Sequence, residues 1–479
     1  MILAIDIGTS TFKSALWDFE GRGIAFASVP LSTNADSGQW LRAFESCCAA
    51  LAKRGMDSGK SLSAVEVIAI SGNGPSLVPV IGAPEITTNG ICIPAGPARL
   101  WLDRRATEAA AEVSAVMGDF VDASFFLPKA LDIKNNEPEL YEKTLHFLGC
   151  PELLALALTG EARTVFPSDG FERWFWNAEI LKRLNLDAEK FPPFIRPGET
   201  FGSVLPIPAA RFGISPNIPV VSGGPDFFAA ILGTGVTGPG QACDRAGTSE
   251  GINVCTVKRI IDQRLMSYGH PVQPFWNLSG IISTTGKAIE WGRDFLGLGS
   301  FDEFFALAQT AGAGAGDMIF LPYLAGERSP VWNPSARAVL RGIGLSSGRG
   351  EFARSVLEGV CFAIRDVISV MEEAGAAVNE LRVTGSATES GFLNQLKADV
   401  TGKEVLVPAH KDAELLGLAM LGACTRGIYT SPAEAAAALA RIESRYFPDE
   451  KTSALYARLF QEYRSLQAVF KGDRQGRRR

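Results

Sequence analysis

Apolar positions along this chain follow two periods, and the switches between them mark its elements. Ile2 to Ile5 is an unbroken aliphatic run, the pattern of a strand buried on both faces, and Asp6 stands where that strand should end. Gly8, Thr9 and Ser10 read as a tight turn and Phe12 to Phe19 as a second β-prone run, so the chain opens strand–turn–strand. Residues 37–54 change to helical spacing, with Trp40, Leu41, Phe44 and Leu51 on one face. Val65 to Ile70 returns to a strand with the loop Ser71 to Ser76 at its end, and Leu77 to Ile81 resumes one. Arg99 to Arg105 precedes a helix running through Ala110 to Val116. Residues 120–200 are helical and irregular, and the aromatics Phe171, Trp174, Phe175 and Trp176 are expected in the core.

Pro219 to Val221 predicts a strand ending in Ser222-Gly-Gly-Pro-Asp226, followed by a helix from Phe227 to Leu232. Val236-Thr-Gly-Pro-Gly-Gln241 breaks all periodicity and is the expected domain boundary. Beyond it the opening plan recurs. Asp244-Arg-Ala-Gly-Thr-Ser249 leads into Gly251 to Thr256, a second Gly-Thr-Ser turn before a β-prone run, with Arg245 where the first half has Asp6. Strands at Leu278 to Thr284, Met318 to Leu321, Leu381 to Thr384 and Glu404 to Val407 alternate with helices. Those helices open at Gly286, run over Glu351 to Glu373, follow Ser390, and span Ala413 to Thr425. Such alternation means an α/β fold.

At 479 residues the chain exceeds one compact core, so two domains are expected, 1–235 and 236–470, with a basic tail over 471–479. A content of 46% hydrophobic and 20% charged residues is that of a soluble globular protein, and a net charge of −6 argues against a general nucleic-acid binder. The eight cysteines include no Cys-x-x-Cys pair and the three histidines lie far apart, which points to reduced thiols rather than a zinc site or disulfide framework. No leader and no apolar run of membrane-spanning length is present, so the reading is cytoplasmic, without a membrane partner.

Candidate chemistry gathers at a few loops. The N–H groups and hydroxyls of Gly8, Thr9 and Ser10 can wrap a phosphate, and Lys13 adds a cation. Neither a Walker A nor a dinucleotide-binding glycine pattern occurs there. The loop Ser71-Gly-Asn-Gly-Pro-Ser76 lies at a strand end, where ligands of open α/β sheets collect. Trp101, Asp103 and Arg104 offer an aromatic plate, an acceptor and a fork of donors, with a salt-bridged helix start as the alternative. Asp226 follows a glycine turn at a helix start, where a plain N-cap is the alternative.

These motifs, in this order and over nearly the whole chain, resemble the FGGY family of carbohydrate kinases, most of all its xylulokinase branch. The match comprises Asp6-Ile-Gly-Thr-Ser10, Trp101-x-Asp-Arg104, Gly223-Gly-Pro-Asp226, Gly247-Thr-Ser249, Gly326-Glu-Arg-Ser-Pro330, Gly342-Ile-Gly-Leu-Ser346 with Val356-Leu-Glu-Gly359, and Gly385 to Asp399. The resemblance implies two actin-like (ribonuclease H-like) ATPase domains with a cleft between them, ATP and Mg²⁺ as cofactors, and a small sugar or polyol as acceptor. It makes Asp226 the general base and sets Asp6 near the metal. Gly8, Thr9, Ser10 and Lys13 face the phosphates from one domain, and Gly247, Thr248 and Ser249 from the other. Gly286 and Glu290 flank the nucleotide, and Gly385, Ser386, Ala387 and Ser390 match the adenosine turn. A homodimer is compatible with it.

The sugar side departs from the family. Gly74 and Pro75 stand where xylulokinases show Met-His and glycerol kinases Arg-Glu, and Phe227 replaces the amide residue after the base. Pro225 replaces a glycine, as do Ser386 and Ala387. Asn73, Ser76, Trp101, Asp103, Arg104 and Asp169 remain as polar or stacking candidates around the acceptor. The expected activity is phosphorylation of a ketose such as a pentulose, with glycerol, ribulose or another polyol as alternative acceptors and a non-catalytic actin-like nucleotide switch as the rival class.

Overall fold

The structure, a computed structural model, describes residues 1–32, 34, 36–57, 59–87, 90–385 and 389–471. Ser386, Ala387 and tail residues 472–479 therefore lie outside the described residues. The chain divides into two compact units, Met1–Gly233 with Glu414–Leu439, and Thr234–Ala413 with the segment from Ala440 onward. Among the described residues no helix is long and apolar enough to cross a membrane.

The first unit is built on a six-stranded sheet whose order is Thr200–Ser203, Pro219–Pro225, Val67–Gly72, Ile2–Ile7, Thr11–Trp17, Gly23–Pro30. Ile2–Ile7 is buried along its whole length because it is central, pairing antiparallel with Thr11–Trp17 and parallel with Val67–Gly72. The Gly38–Asp57 helix covers one face, burying Trp40, Leu41, Phe44 and Leu51 as its spacing predicts. Phe171, Trp174, Phe175 and Trp176 are buried too, as expected of a core cluster.

The second unit repeats this plan. Its seven strands run Met266–Gly269, Trp276–Ile282, Glu250–Thr256, Gln241–Ala246, Glu380–Thr384, Glu404–Pro408, Ile442–Tyr446. Gln241–Ala246 pairs antiparallel with Glu250–Thr256 and parallel with Glu380–Thr384, as Ile2–Ile7 pairs with its own neighbours. Both units thus contain three antiparallel strands continued by two parallel ones. The helix Arg349–Glu373 is buried without a break from Ala353 to Ile364.

Two expectations need correction. A contiguous second domain over 236–470 does not describe the division, because the helices Ala413–Thr425 and Pro432–Leu439 lie almost wholly in the first unit. Leu415, Leu416, Leu418, Ala419 and Met420 are fully buried. A helix apolar on all sides declares that it is interior without declaring in which core. Asp6 does not terminate its strand either; the strand continues to Ile7 and the carboxylate lies within the ladder.

Behind the second hairpin lies a buried charge cluster. Lys397 Nζ, 1% exposed, donates to Asp244 Oδ2 over 2.5 Å and Glu250 Oε1 over 2.6 Å. Burial and the adjoining Glu250 carboxylate push the Asp244 carboxyl well above the ordinary range. Burial acts the same way on Glu250, yet Lys397 and the bond from Asp244 hold it below. The cluster reads as one ammonium, one carboxylate and one carboxylic acid, so no net charge is buried. Lys397→Met leaves both acids without their cation, and we expect it to destabilise the protein by about 3–5 kcal/mol in urea unfolding. A loss below about 1 kcal/mol would show that the cluster is not held by its cation.

Candidate active site

Asp6 is only 5% exposed, in a strand otherwise made of aliphatic residues. Across the ladder it faces Lys13 on one side and Ser71 on the other. Ser71 Oγ donates to Asp6 Oδ1 over 2.8 Å. Burial, and then the charges of Glu414 and Asp226, push the Asp6 carboxyl up to about 7, against the pull of the Ser71 bond and of Lys13. Three carboxylates from three separate stretches of chain thus share one region of the first unit. Asp226 is half-buried at the first position of the helix Asp226–Gly233, and its Oδ1 accepts the Phe227 N–H at 2.7 Å. Glu414 opens the helix Ala413–Thr425. Sequence reading missed Glu414, since it sits far along the chain amid residues assigned to the other domain. An acidic residue heading an otherwise apolar helix is the only local signal it carries.

The first hairpin closes through Gly8 N to Thr11 O at 3.0 Å. Its Thr9 Oγ1 accepts the indole N–H of Trp101 at 2.9 Å. Asn73 Nδ2 donates to the carbonyls of Ile7 and Gly8, and its Oδ1 accepts from Ser76 Oγ at 2.8 Å. The Trp101 N–H in turn donates to Ser76 Oγ at 3.2 Å. Gly8, Thr9, Asn73, Ser76 and Trp101 therefore form one hydrogen-bonded unit, with Lys13, Asp6 and Ser71 paired on the adjoining strands. Gly74 and Pro75 add only backbone to it. Phe227 stacks on Phe171 with ring centres 6.4 Å apart.

The other acceptor candidates are engaged elsewhere. Asp103 Oδ1 accepts from Arg105 N and Nε at 3.1 and 3.0 Å, Arg104 pairs with Asp122 at 3.7 Å, and Asp169 pairs with Arg196 at 2.9 Å on the surface. Asp103 and Arg104 thus form ion pairs just ahead of the helix Thr107–Met117.

In the second unit the turn Gly247 to Ser249 closes through Gly247 N to Ser249 O at 3.0 Å. It is pinned to the start of the helix Gly286–Phe295 by Gly286 N to Gly247 O at 3.1 Å and Lys287 N to Thr248 O at 3.3 Å. A Cβ on Gly286 would stand 2.3 Å from Gly247 O, and one on Gly385, at φ +97°, 1.9 Å from Ala246 O. Only glycine fits at either place, so three backbone segments meet without side chains between them. Glu290 pairs with Lys287 at 2.7 Å, and Ser390 caps the helix Gly391–Thr401 by accepting from Leu393 N at 3.3 Å.

With this geometry in view, comparison with known proteins is direct. Residues 1–233 match the N-terminal domain of the FGGY family of carbohydrate kinases and residues 245–426 its C-terminal domain. The chain belongs to that family, and it is an ATP-dependent sugar kinase. Xylulose kinase of Escherichia coli K12 is 27% identical over 97% of this chain and 98% of its own length. Gluconokinase of Bacillus subtilis 168 is 25% identical over 98% and 94%. In fold the chain is similar to a ligand-bound xylulose kinase from Lactobacillus acidophilus, with a TM-score of 0.84, 22% identity and 98% of each chain covered. It is also similar to Plasmodium falciparum glycerol kinase with ADP, with a TM-score of 0.80, 19% identity and 97% of each chain covered.

The position of Asp6 has a measurable consequence. Its folded pKa lies above the unfolded value, so the folded state binds more protons and loses stability as pH rises from about 4 to about 7. Asp6→Asn removes that cost. We expect the variant, without nucleotide or metal, to exceed wild type by about 1–3 kcal/mol at pH 8, a gain that shrinks toward zero near pH 4, in urea titrations at both pH values. A variant less stable than wild type at pH 8 would contradict this electrostatic account.

Proposed function

We propose that the protein transfers the γ-phosphoryl group of ATP to a hydroxyl of a small ketose or polyol, xylulose-like in size, with Asp226 as the base. The observation that carries the reading is the placement of Asp226 at a strand-to-helix junction, within electrostatic reach of buried Asp6, in the unit that also holds the Thr9 hairpin. A sugar hydroxyl is a weak nucleophile, so the protein's task is to align it and to receive its proton as the new O–P bond forms and the bridging O–P bond of ATP breaks. Asp226 accepts that proton and releases it to solvent. Its Phe227 N–H bond fixes the rotation of the carboxyl group.

Among the described residues no group of three acidic, histidine or cysteine side chains could hold a metal alone. Mg²⁺ ordinarily takes one or two carboxylates together with phosphate oxygens, and Asp6 offers one carboxylate in a region already crowded with negative charge. Asp6 together with the nucleotide's own oxygens would hold the ion, which would neutralise charge on the transferring phosphoryl group. Thr9, Ser10 and Lys13 act on the phosphates from the first unit. Gly247, Thr248, Ser249, Gly286, Glu290, Gly385 and Ser390 serve the nucleotide in the second.

The acceptor is less narrowly read than in the xylulokinase pattern. Gly74 and Pro75 have no polar side chain, and Asn73, Ser76, Asp103, Arg104 and Asp169 spend their polar atoms on the protein. Relatives named for xylulose favour a xylulokinase-like acceptor, while a gluconokinase at 25% identity keeps gluconate among the candidates. A site that does not hydrogen-bond each substrate hydroxyl discriminates weakly among hydroxyl patterns.

Two outcomes test this. ADP release should rise strongly with at least one member of a panel of D-xylulose, D-ribulose, gluconate and glycerol, whereas a slow ATPase indifferent to all would favour a nucleotide switch. Asp226→Asn should lower turnover by about 10²–10⁴-fold while ATP binding by calorimetry stays intact. Near-normal turnover would remove Asp226 from the base role.

A further inference from the structure

Lys129 lies on the helix Phe126–Asn136 and is 2% exposed. Its Nζ donates to two main-chain carbonyls, Pro75 O at 2.7 Å and Leu100 O at 2.8 Å, and among the described residues no carboxylate forms an ion pair with it. Burying an ammonium against neutral acceptors is expensive, and burial pulls the Lys129 pKa down to about 7, opposed by Asp103 and Asp122 and reinforced by Arg99. A leucine or methionine would fill the same space without that cost, so packing alone does not account for the choice of lysine.

Its two acceptors suggest what the lysine does. Pro75 is the middle of the loop between Asn73 and Ser76, where neither Gly74 nor Pro75 has a side chain able to anchor the backbone. Leu100 directly precedes Trp101, whose indole reaches Thr9. One nitrogen therefore ties the strand-end loop to the tryptophan segment, and through it to the hairpin.

We propose that Lys129 is a positioning residue for the acceptor, a cross-link that fixes the Gly74–Pro75 loop and the Trp101 ring relative to Asp226. The inference rests on the reading that this face receives the acceptor. It predicts a division between the two substrates, because Lys129 bonds the Pro75 loop directly and reaches the phosphate hairpin only through the Trp101 segment.

The test uses full-length enzyme and whichever panel sugar wild type phosphorylates best, so that wild-type turnover judges the kinase reading separately from the variants. Lys129→Met removes the ammonium and both of its bonds while keeping the apolar stem; Lys129→Gln keeps two N–H groups without charge. We expect Lys129→Met to raise the acceptor KM by at least about tenfold with the ATP KM within about twofold, and Lys129→Gln to recover part of that loss. An unchanged acceptor KM in folded Lys129→Met, a parallel rise in both KM values, or a glutamine variant no better than methionine would overturn the proposal. If the methionine variant fails to fold by circular dichroism, Lys129→Gln decides alone. A rise in its acceptor KM with a constant ATP KM supports the role, and any other pattern overturns it.

Discussion

A single carboxylate inside a fully buried strand is the constraint to which the first unit answers. Ile2–Ile7 must be central to be apolar on both faces, and being central it carries Asp6 away from water. The sheet supplies only part of what an ionised carboxylate needs: a hydroxyl from Ser71 on one neighbour and the cation of Lys13 on the other. Asp226 and Glu414 add charge of the same sign. Native folds retain such unfavourable arrangements where a ligand completes them, and the proposed function gives that place to a phosphate-bound dication.

The second unit solves the same topology differently. Its hairpin has Arg245 at the position of Asp6, and the buried acids Asp244 and Glu250 are paired with Lys397 into a neutral group. Close backbone approach at Gly286 and Gly385 takes the place of side-chain contacts around its turn. The two units share the ladder and differ in its charges. One holds an unbalanced acid and the other a balanced cluster.

The sequence disclosed most of the ladder because its central strands are unbroken apolar runs and its turns carry glycine. Gly23–Pro30 escaped notice since, at the edge of the sheet, it alternates weakly and exposes half its residues. Thr200–Ser203 and Met266–Gly269 are short edge strands of the same kind. Glycine motifs and Asp226 were legible from local spacing and family resemblance. Glu414 and Lys129 were not, because a residue's charge environment depends on segments hundreds or dozens of positions away. The polar acceptor candidates were legible as residue types but not as partners. Whether Asp103 faces a ligand or Arg105 is a matter of rotamer and neighbour, which one-dimensional pattern does not contain.

The return of Glu414–Leu439 to the first unit bears on how the protein is made. Until that segment has been synthesised, the sheet that holds Ile2 lacks the helix whose Leu418 lies against Gly223. A ribosome-bound chain ending soon after Gly233 would therefore expose apolar surface that the finished molecule hides, for as long as translation takes to cover nearly two hundred further codons. The beginning of this protein waits for its end, and chaperone demand during biosynthesis should be set by that delay rather than by overall length.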